Sequence, residues 1–168
     1  DGDYYLLDVK ISPDSSRVFF LHILDEMSNH RESLLSTPIS GGVVSTISEP
    51  DDWCYISYQI TPDSQHVIYN LSEIGCDDNG LYRNGITGGD TFELDEKFVS
   101  RFQITANSEY VVLTQETTDS VSELFSISVG GGSKKQLNGS MPPGGRVLDF
   151  EISPNNEFVI YRADERVL

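Results

Sequence analysis

Ile60-Thr61-Pro62-Asp63-Ser64-Gln65-His66-Val67-Ile68-Tyr69 is written four times in this chain. The other copies are Ile11-Ser12-Pro13-Asp14-Ser15-Ser16-Arg17-Val18-Phe19-Phe20, Ile104-Thr105-Ala106-Asn107-Ser108-Glu109-Tyr110-Val111-Val112-Leu113 and Ile152-Ser153-Pro154-Asn155-Asn156-Glu157-Phe158-Val159-Ile160-Tyr161. They start 49, 44 and 48 residues apart. A period of that size marks an array of similar supersecondary units. Within each copy an Ile ends an apolar strand, Ser or Thr with Pro and Asp or Asn turn the chain, and a β-branched or aromatic run follows. Pro presets φ for a turn, and Asp or Asn before a small polar residue tolerates the left-handed backbone of a tight hairpin.

A second feature lies downstream in three of the units. Leu34, Leu81 and Leu124 each stand seven residues before a glycine pair, Gly41-Gly42, Gly88-Gly89 and Gly131-Gly132. The pattern reads as a third strand and a glycine turn into a short fourth strand over 43–47, 91–94 and 134–137. Four strands in about 45 residues is the arithmetic of a propeller blade. Helical periodicity is essentially absent. The sequence therefore predicts an all-β chain, a β-propeller fragment of about 3.5 four-stranded antiparallel blades. Residues 1–168 form one partial propeller, with blades over 3–48, 53–95 and 98–138 and a half blade over 147–168. Three and a half blades cannot close a ring. The expectation is either a piece of a longer propeller or copies that associate so that their open edges meet.

The net charge of −16 over 168 residues repels phosphate backbones and anionic lipid. Nucleic acid is therefore not an expected partner. No apolar run is long enough to span a bilayer, so membrane insertion is not expected either. The apolar fraction, 38%, suits many short strands joined by turns.

The hairpins, the Leu81-Tyr82 pair and the glycine pairs together resemble the TolB-like β-propeller repeats, whose signature is a Ser-Pro-Asp-Gly hairpin followed by Leu-Tyr and Gly-Gly. The resemblance covers nearly the whole chain. Phe150-Glu151-Ile152-Ser153-Pro154 and Tyr161-Arg162-Ala163-Asp164 look like bacterial propellers of unassigned function. Such repeats are also similar to the propellers that cap prolyl-oligopeptidase-type hydrolases. This chain departs from the pattern with Ser15, Ser64, Ser108 and Asn156 at the hairpin glycine, and with Ala106 for proline. The resemblance implies a fold, since propellers host many unrelated functions.

Residues that carry chemistry are sparse. No Gly-x-Ser-x-Gly occurs, so a nucleophile elbow is missing from the chain. His22, His30 and His66 lack a Ser or Asp partner at a recognisable spacing. No catalytic residue and no cofactor is predicted. Asp77-Asp78-Asn79-Gly80, with Glu73 nearby, offers the hard oxygens that Ca²⁺ takes, but the spaced Asp-x-Asp-x-Asp-Gly loop is missing. A solvated turn explains the same residues. Glu49-Pro50-Asp51-Asp52 reads the same way. Cys54 and Cys76 are a candidate disulfide: a hairpin loop at 62–65 places Cys54 opposite Glu73, with Cys76 just beyond. A bridge would argue for an oxidising compartment; two half-buried thiols are the rival reading.

Binding would live on the long loops. These are Asp25-Glu26-Met27 with His30-Arg31-Glu32, the stretch 116–123, and Met141-Pro142-Pro143-Gly144-Gly145. Trp53 and Tyr55 offer an aromatic contact, although a Trp opening a strand more often packs blades. The functional expectation is a non-catalytic binding or scaffold module of a secreted or periplasmic bacterial protein, with a protein partner. The alternative is the propeller cap of a hydrolase whose catalytic domain lies outside this chain.

Overall fold

The computed structural model describes residues 3–26, 29–48, 54–72, 79–117 and 120–164. Blade one is β1 (Asp3–Ile11), β2 (Arg17–Glu26), β3 (Asn29–Pro38) and β4 (Ser45–Ser48); blade two is β5 (Tyr55–Ile60), β6 (His66–Ser72), β7 (Gly80–Gly85) and β8 (Phe92–Asp95). Each is a four-stranded antiparallel sheet in chain order. Blade three is β9 (Val99–Ile104), β10 (Tyr110–Glu116), β11 (Ser122–Ser128) and β12 (Lys135–Gln136), and the half blade is β13 (Arg146–Ile152) and β14 (Val159–Asp164). The chain divides into two units, Asp1–Lys97 with the first two blades and Phe98–Leu168 with the rest. No α-helix occurs among the described residues.

The four hairpins share one hydrogen-bond plan, which explains the residue types. The first hydroxyl of each copy accepts the backbone N–H five residues on: Ser12 Oγ from Arg17, Thr61 Oγ1 from His66, Thr105 Oγ1 from Tyr110 and Ser153 Oγ from Phe158, at 2.9–3.0 Å. In three copies that hydroxyl donates onward to the Asp or Asn two residues later, at 2.6–2.7 Å. The residue at the usual glycine position then turns left-handed: φ is +60° at Ser15, +58° at Ser64, +63° at Ser108 and +61° at Asn156.

Non-glycine residues there cost conformational energy, about 1–2 kcal/mol each, and Ser64 and Asn156 use the position to join blades. Ser64 Oγ of blade two accepts the Asp14 N–H of blade one at 3.0 Å. In the second unit, Asn156 Oδ1 accepts the Ala106 N–H at 2.7 Å. The longer Asn reaches one position further back, to an N–H that exists only because Ala106 replaces the proline of the other copies. Two departures from the repeat are thus one interaction. Ser15→Gly, at an exposed site, is expected to stabilise the chain by about 0.5–1 kcal/mol, the relief of strain less the added freedom of the unfolded glycine. Ser64→Gly loses the inter-blade bond as well, so its stability should fall about 1 kcal/mol below that of Ser15→Gly. Equal effects in paired urea titrations would show that the latch contributes nothing.

The core of the first unit lies between its blades. Phe19, Leu21, Leu34 and Ile47 of blade one cluster with Ile56, Tyr58, Val67, Tyr69 and Leu71 of blade two. In the second unit Val112 and Leu124 cluster with Val147 and Phe150. Polar groups fasten the same seam. Glu32, buried in β3, accepts the Ile56 N–H at 2.7 Å, and Ser36 Oγ donates to the Ile86 carbonyl at 2.8 Å. The buried Arg17 guanidinium donates to Ser36 Oγ in turn, from Nη2 at 2.9 Å. β1 is bulged between Leu7 and Lys10, with Asp8 left-handed at φ +48°.

Two expectations need correction. Asp25, Glu26 and His30-Arg31-Glu32 are not a long loop, because β2 and β3 pair as far as Glu26↔Asn29. Polar composition suggested a loop, but a ladder is made by the backbone, and Glu32 turns inward to meet a donor. The fourth strand of blade three shrinks to Lys135–Gln136. Its next residues bind differently: Asn138 Oδ1 accepts the Leu124 N–H at 2.8 Å. β11 is instead extended by a single parallel pairing with β13, Ser122↔Arg146.

Candidate functional site

A cleft of about 430 Å³ opens between the two blades of the first unit. One wall is β4, with Thr46 and Ser48; the other is Tyr69 on β6, Tyr82 on β7, and Gly89 and Thr91 before β8. The glycine turn brings the walls together. Gly88 has φ +83°, and a Cβ there would sit 2.6 Å from the Thr46 carbonyl oxygen. Tyr69 stacks on Tyr82 with centroids 5.6 Å apart and planes 24° apart, and its hydroxyl lies 3.5 Å from Thr91 Oγ1. Buried Asn84 ties the walls, donating to the Ile47 carbonyl at 2.9 Å and to Thr91 Oγ1 at 3.3 Å. Hydroxyls and aromatic rings line the space, and among the described residues no lining side chain is ionisable below the phenol range. Such a lining can hold a neutral ligand through hydroxyl hydrogen bonds and ring contacts. Sequence reasoning missed this cleft; the Gly88-Gly89 turn was its one visible signal.

Asp77, Asp78, Cys76, Trp53, Met27 and residues 49–52 lie outside the described residues. Asn79 is half-buried immediately before β7. No group of three His, Cys, Asp or Glu side chains suited to a metal occurs among the described residues. Cys54 is fully buried and disulfide-bonded. Tyr55 is exposed on β5. Met141, in the proline-glycine loop, packs on the core of the second unit rather than presenting itself for binding.

The histidines fall on three strands, His22 on β2, His30 on β3 and His66 at the start of β6. Burial, and then the charge of Arg83, hold the His66 pKa below its ordinary value of 6.5, against a smaller pull from Asp63. The folded chain therefore favours neutral His66 more than the unfolded chain does. That contribution is fully present above pH about 6.5 and is lost as pH falls through the folded pKa. Between pH 7 and 5 the Tm of the wild type should fall more steeply than that of His66→Gln. Parallel slopes by calorimetry would remove His66 from the acid response.

No family model matches the chain, and none of the curated proteins matches it. Solved structures do. TolB from Acinetobacter baumannii superposes with TM-score 0.54 at 14% identity, over 93% of this chain and 48% of that one. The β-propeller domain of the Trilobed protease from Pyrococcus furiosus, described as having an open velcro topology, gives 0.62 at 7% identity, over 86% and 45%. The fold is that of a β-propeller. A candidate dipeptidyl aminopeptidase IV from Bacteroides ovatus gives 0.70 at 16% identity, over 96% of this chain and 26% of its own. The chain spans about half the length of the first two and about a quarter of the third. At such identities the likeness fixes the propeller fold and leaves the chain's activity open.

Proposed function

We propose that this chain is a non-catalytic propeller module that binds or scaffolds other proteins, in a secreted or periplasmic bacterial protein. The observation that carries the reading is the run of exposed apolar side chains on β1, namely Tyr5, Leu6, Leu7, Val9 and Ile11. Strand alternation puts Tyr5 and Leu7 on one face and Leu6 and Ile11 on the other, and exposed apolar side chains gathered on one strand mark a contact site. The disulfide at Cys54 supports an oxidising compartment, and we assign its partner as Cys76. The charge of −16 disfavours nucleic acid and anionic lipid. No helix of the described residues is long and apolar enough to cross a membrane.

The second reading is the cap of a peptidase, favoured by the likeness to the Pyrococcus furiosus protease domain and the Bacteroides ovatus protein. The test is to label the complete polypeptide encoded by the gene with a fluorophosphonate serine-hydrolase probe. No labelling, together with capture of a defined protein by the 168-residue chain, supports the scaffold. Labelling of a serine outside these residues supports the cap.

A further inference from the structure

We propose that Arg17, in the seam between the two blades of the first unit, is the centre of a binding site for a small carboxylate. The residue is only 8% exposed, yet its hydrogen bonds all go to neutral hydroxyls. Nε and Nη2 donate to Ser36 Oγ at 3.2 and 2.9 Å, and Nη2 donates to Ser45 Oγ at 3.3 Å. No carboxylate of the described residues pairs with it. A buried cation surrounded only by neutral partners is costly, and such charges are ordinarily matched by an anion. The repeat does not need a cation here, since the equivalent residues, six after the repeat's Ile, are His66, Tyr110 and Phe158.

The unused donors lie together. Ser36 takes up the Nε–Nη2 edge of the guanidinium and gives its own proton to the Ile86 carbonyl at 2.8 Å. That leaves the Nη1–Nη2 edge. Nη1 donates to none of the described residues, and Ser45 Oγ, which accepts from Nη2, finds no acceptor among them for its own proton. One end of the guanidinium therefore offers N–H donors with an O–H donor beside them, and no acceptor to receive them. That end is the planar fork whose spacing matches the two oxygens of a carboxylate. Blade two already closes the seam through Ile86, so the site does not lie on an outer face of the first or last blade. An exposure of 8% leaves a narrow approach. The occupant is consequently a small free ion, and the side chain of a docked protein is too large to follow. The net charge of −16 keeps anions dilute around the chain, so binding is weak, with Kd on the order of 1–10 mM.

This anion site stands apart from the binding-module reading, because a chain that captures a protein and takes up no carboxylate would overturn the site alone. Sodium acetate and sodium chloride are titrated separately into the 15N-labelled chain at fixed pH, following the Arg17 Nε–H and the Ser45 and Ile86 amides by NMR. Acetate should move these signals to saturation in the millimolar range, whereas chloride, which cannot bridge the fork, should give only an unsaturated drift. Ser45→Ala removes one donor at a partly exposed site and should weaken acetate by at least about tenfold, the loss of a hydrogen bond to a charged group. Arg17→Gln should abolish the saturable shift. Pivalate carries the same head group on a bulkier body and should bind at least about tenfold more weakly than acetate. Acetate and chloride shifts that grow alike without saturating would overturn the proposal. So would an acetate affinity that Ser45→Ala leaves unchanged, or pivalate binding as tight as acetate, which would place the charge at an open surface.

Discussion

Tyr58→Ala is expected to lower the stability of the first unit by about 3–5 kcal/mol, as for other large-to-small aromatic truncations in cores. In a unit of this size that corresponds to a fall in Tm of at least about 10 °C. Three contacts converge on this one side chain. Its ring packs on Phe19 across the blade seam. Lys10 Nζ stands 3.9 Å above the ring centroid and donates to the Tyr58 carbonyl at 2.9 Å. The phenol donates to the carbonyl of Asp8, the left-handed residue of the β1 bulge. Tyr58→Phe separates these effects, since it keeps the ring and the cation contact and loses one hydrogen bond, for about 1 kcal/mol. Burial, and then the negative charge of Asp8, push the phenol pKa above its ordinary value of 10. An alkaline spectrophotometric titration should therefore show one tyrosine that ionises only when the fold is lost. If Tyr58→Phe costs as much as Tyr58→Ala, the bulge bond rather than the packing holds the blades.

The same seam shows how far the sequence could be read. The hairpins were legible because each residue type has a local job: a hydroxyl that accepts an N–H five residues on, a proline that fixes φ, an acid or amide that caps the turn. The register followed from the loop alone, and the observed ladder from Ile60↔Val67 to Tyr55↔Ser72 is the one that sets Cys54 opposite residue 73. Interactions between blades were not legible, because they join residues about fifty apart whose identities look ordinary. Ser64 and Asn156 read as poor substitutes for glycine until their side-chain oxygens are seen to accept N–H groups of the neighbouring hairpin. Glu32 reads as a solvated charge until the Ile56 N–H needs an acceptor. The cleft escaped for the same reason, since Thr46 and Thr91 carry no signal until Gly88 lets their strands approach. Periodicity reports what a repeat does within itself, and contacts between repeats need coordinates.

The second large effect is expected from the disulfide at Cys54. If its partner is Cys76, the bridge closes a loop of about 23 residues and stabilises the chain by about 3 kcal/mol through the lost freedom of the unfolded state. That loop contains the whole β5–β6 hairpin, whose ladder already carries its two ends to the same side of blade two. The bridge therefore holds what the backbone has arranged and gives the unfolded chain the larger restriction. Dithiothreitol should lower Tm by about 10 °C or more, by the scaling that applies to a unit of this length. Cys54→Ala with Cys76→Ala should reproduce the drop and make the remaining transition insensitive to reductant. Non-reducing peptide mapping should recover one linked pair. Two titratable thiols in the protein purified without reductant would overturn the bridge, and with it the argument for an oxidising compartment. A bridge that forms but leaves Tm unchanged would mean that the unfolded hairpin already keeps residues 54 and 76 close. The loop-closure entropy would then have been lost before the bond formed.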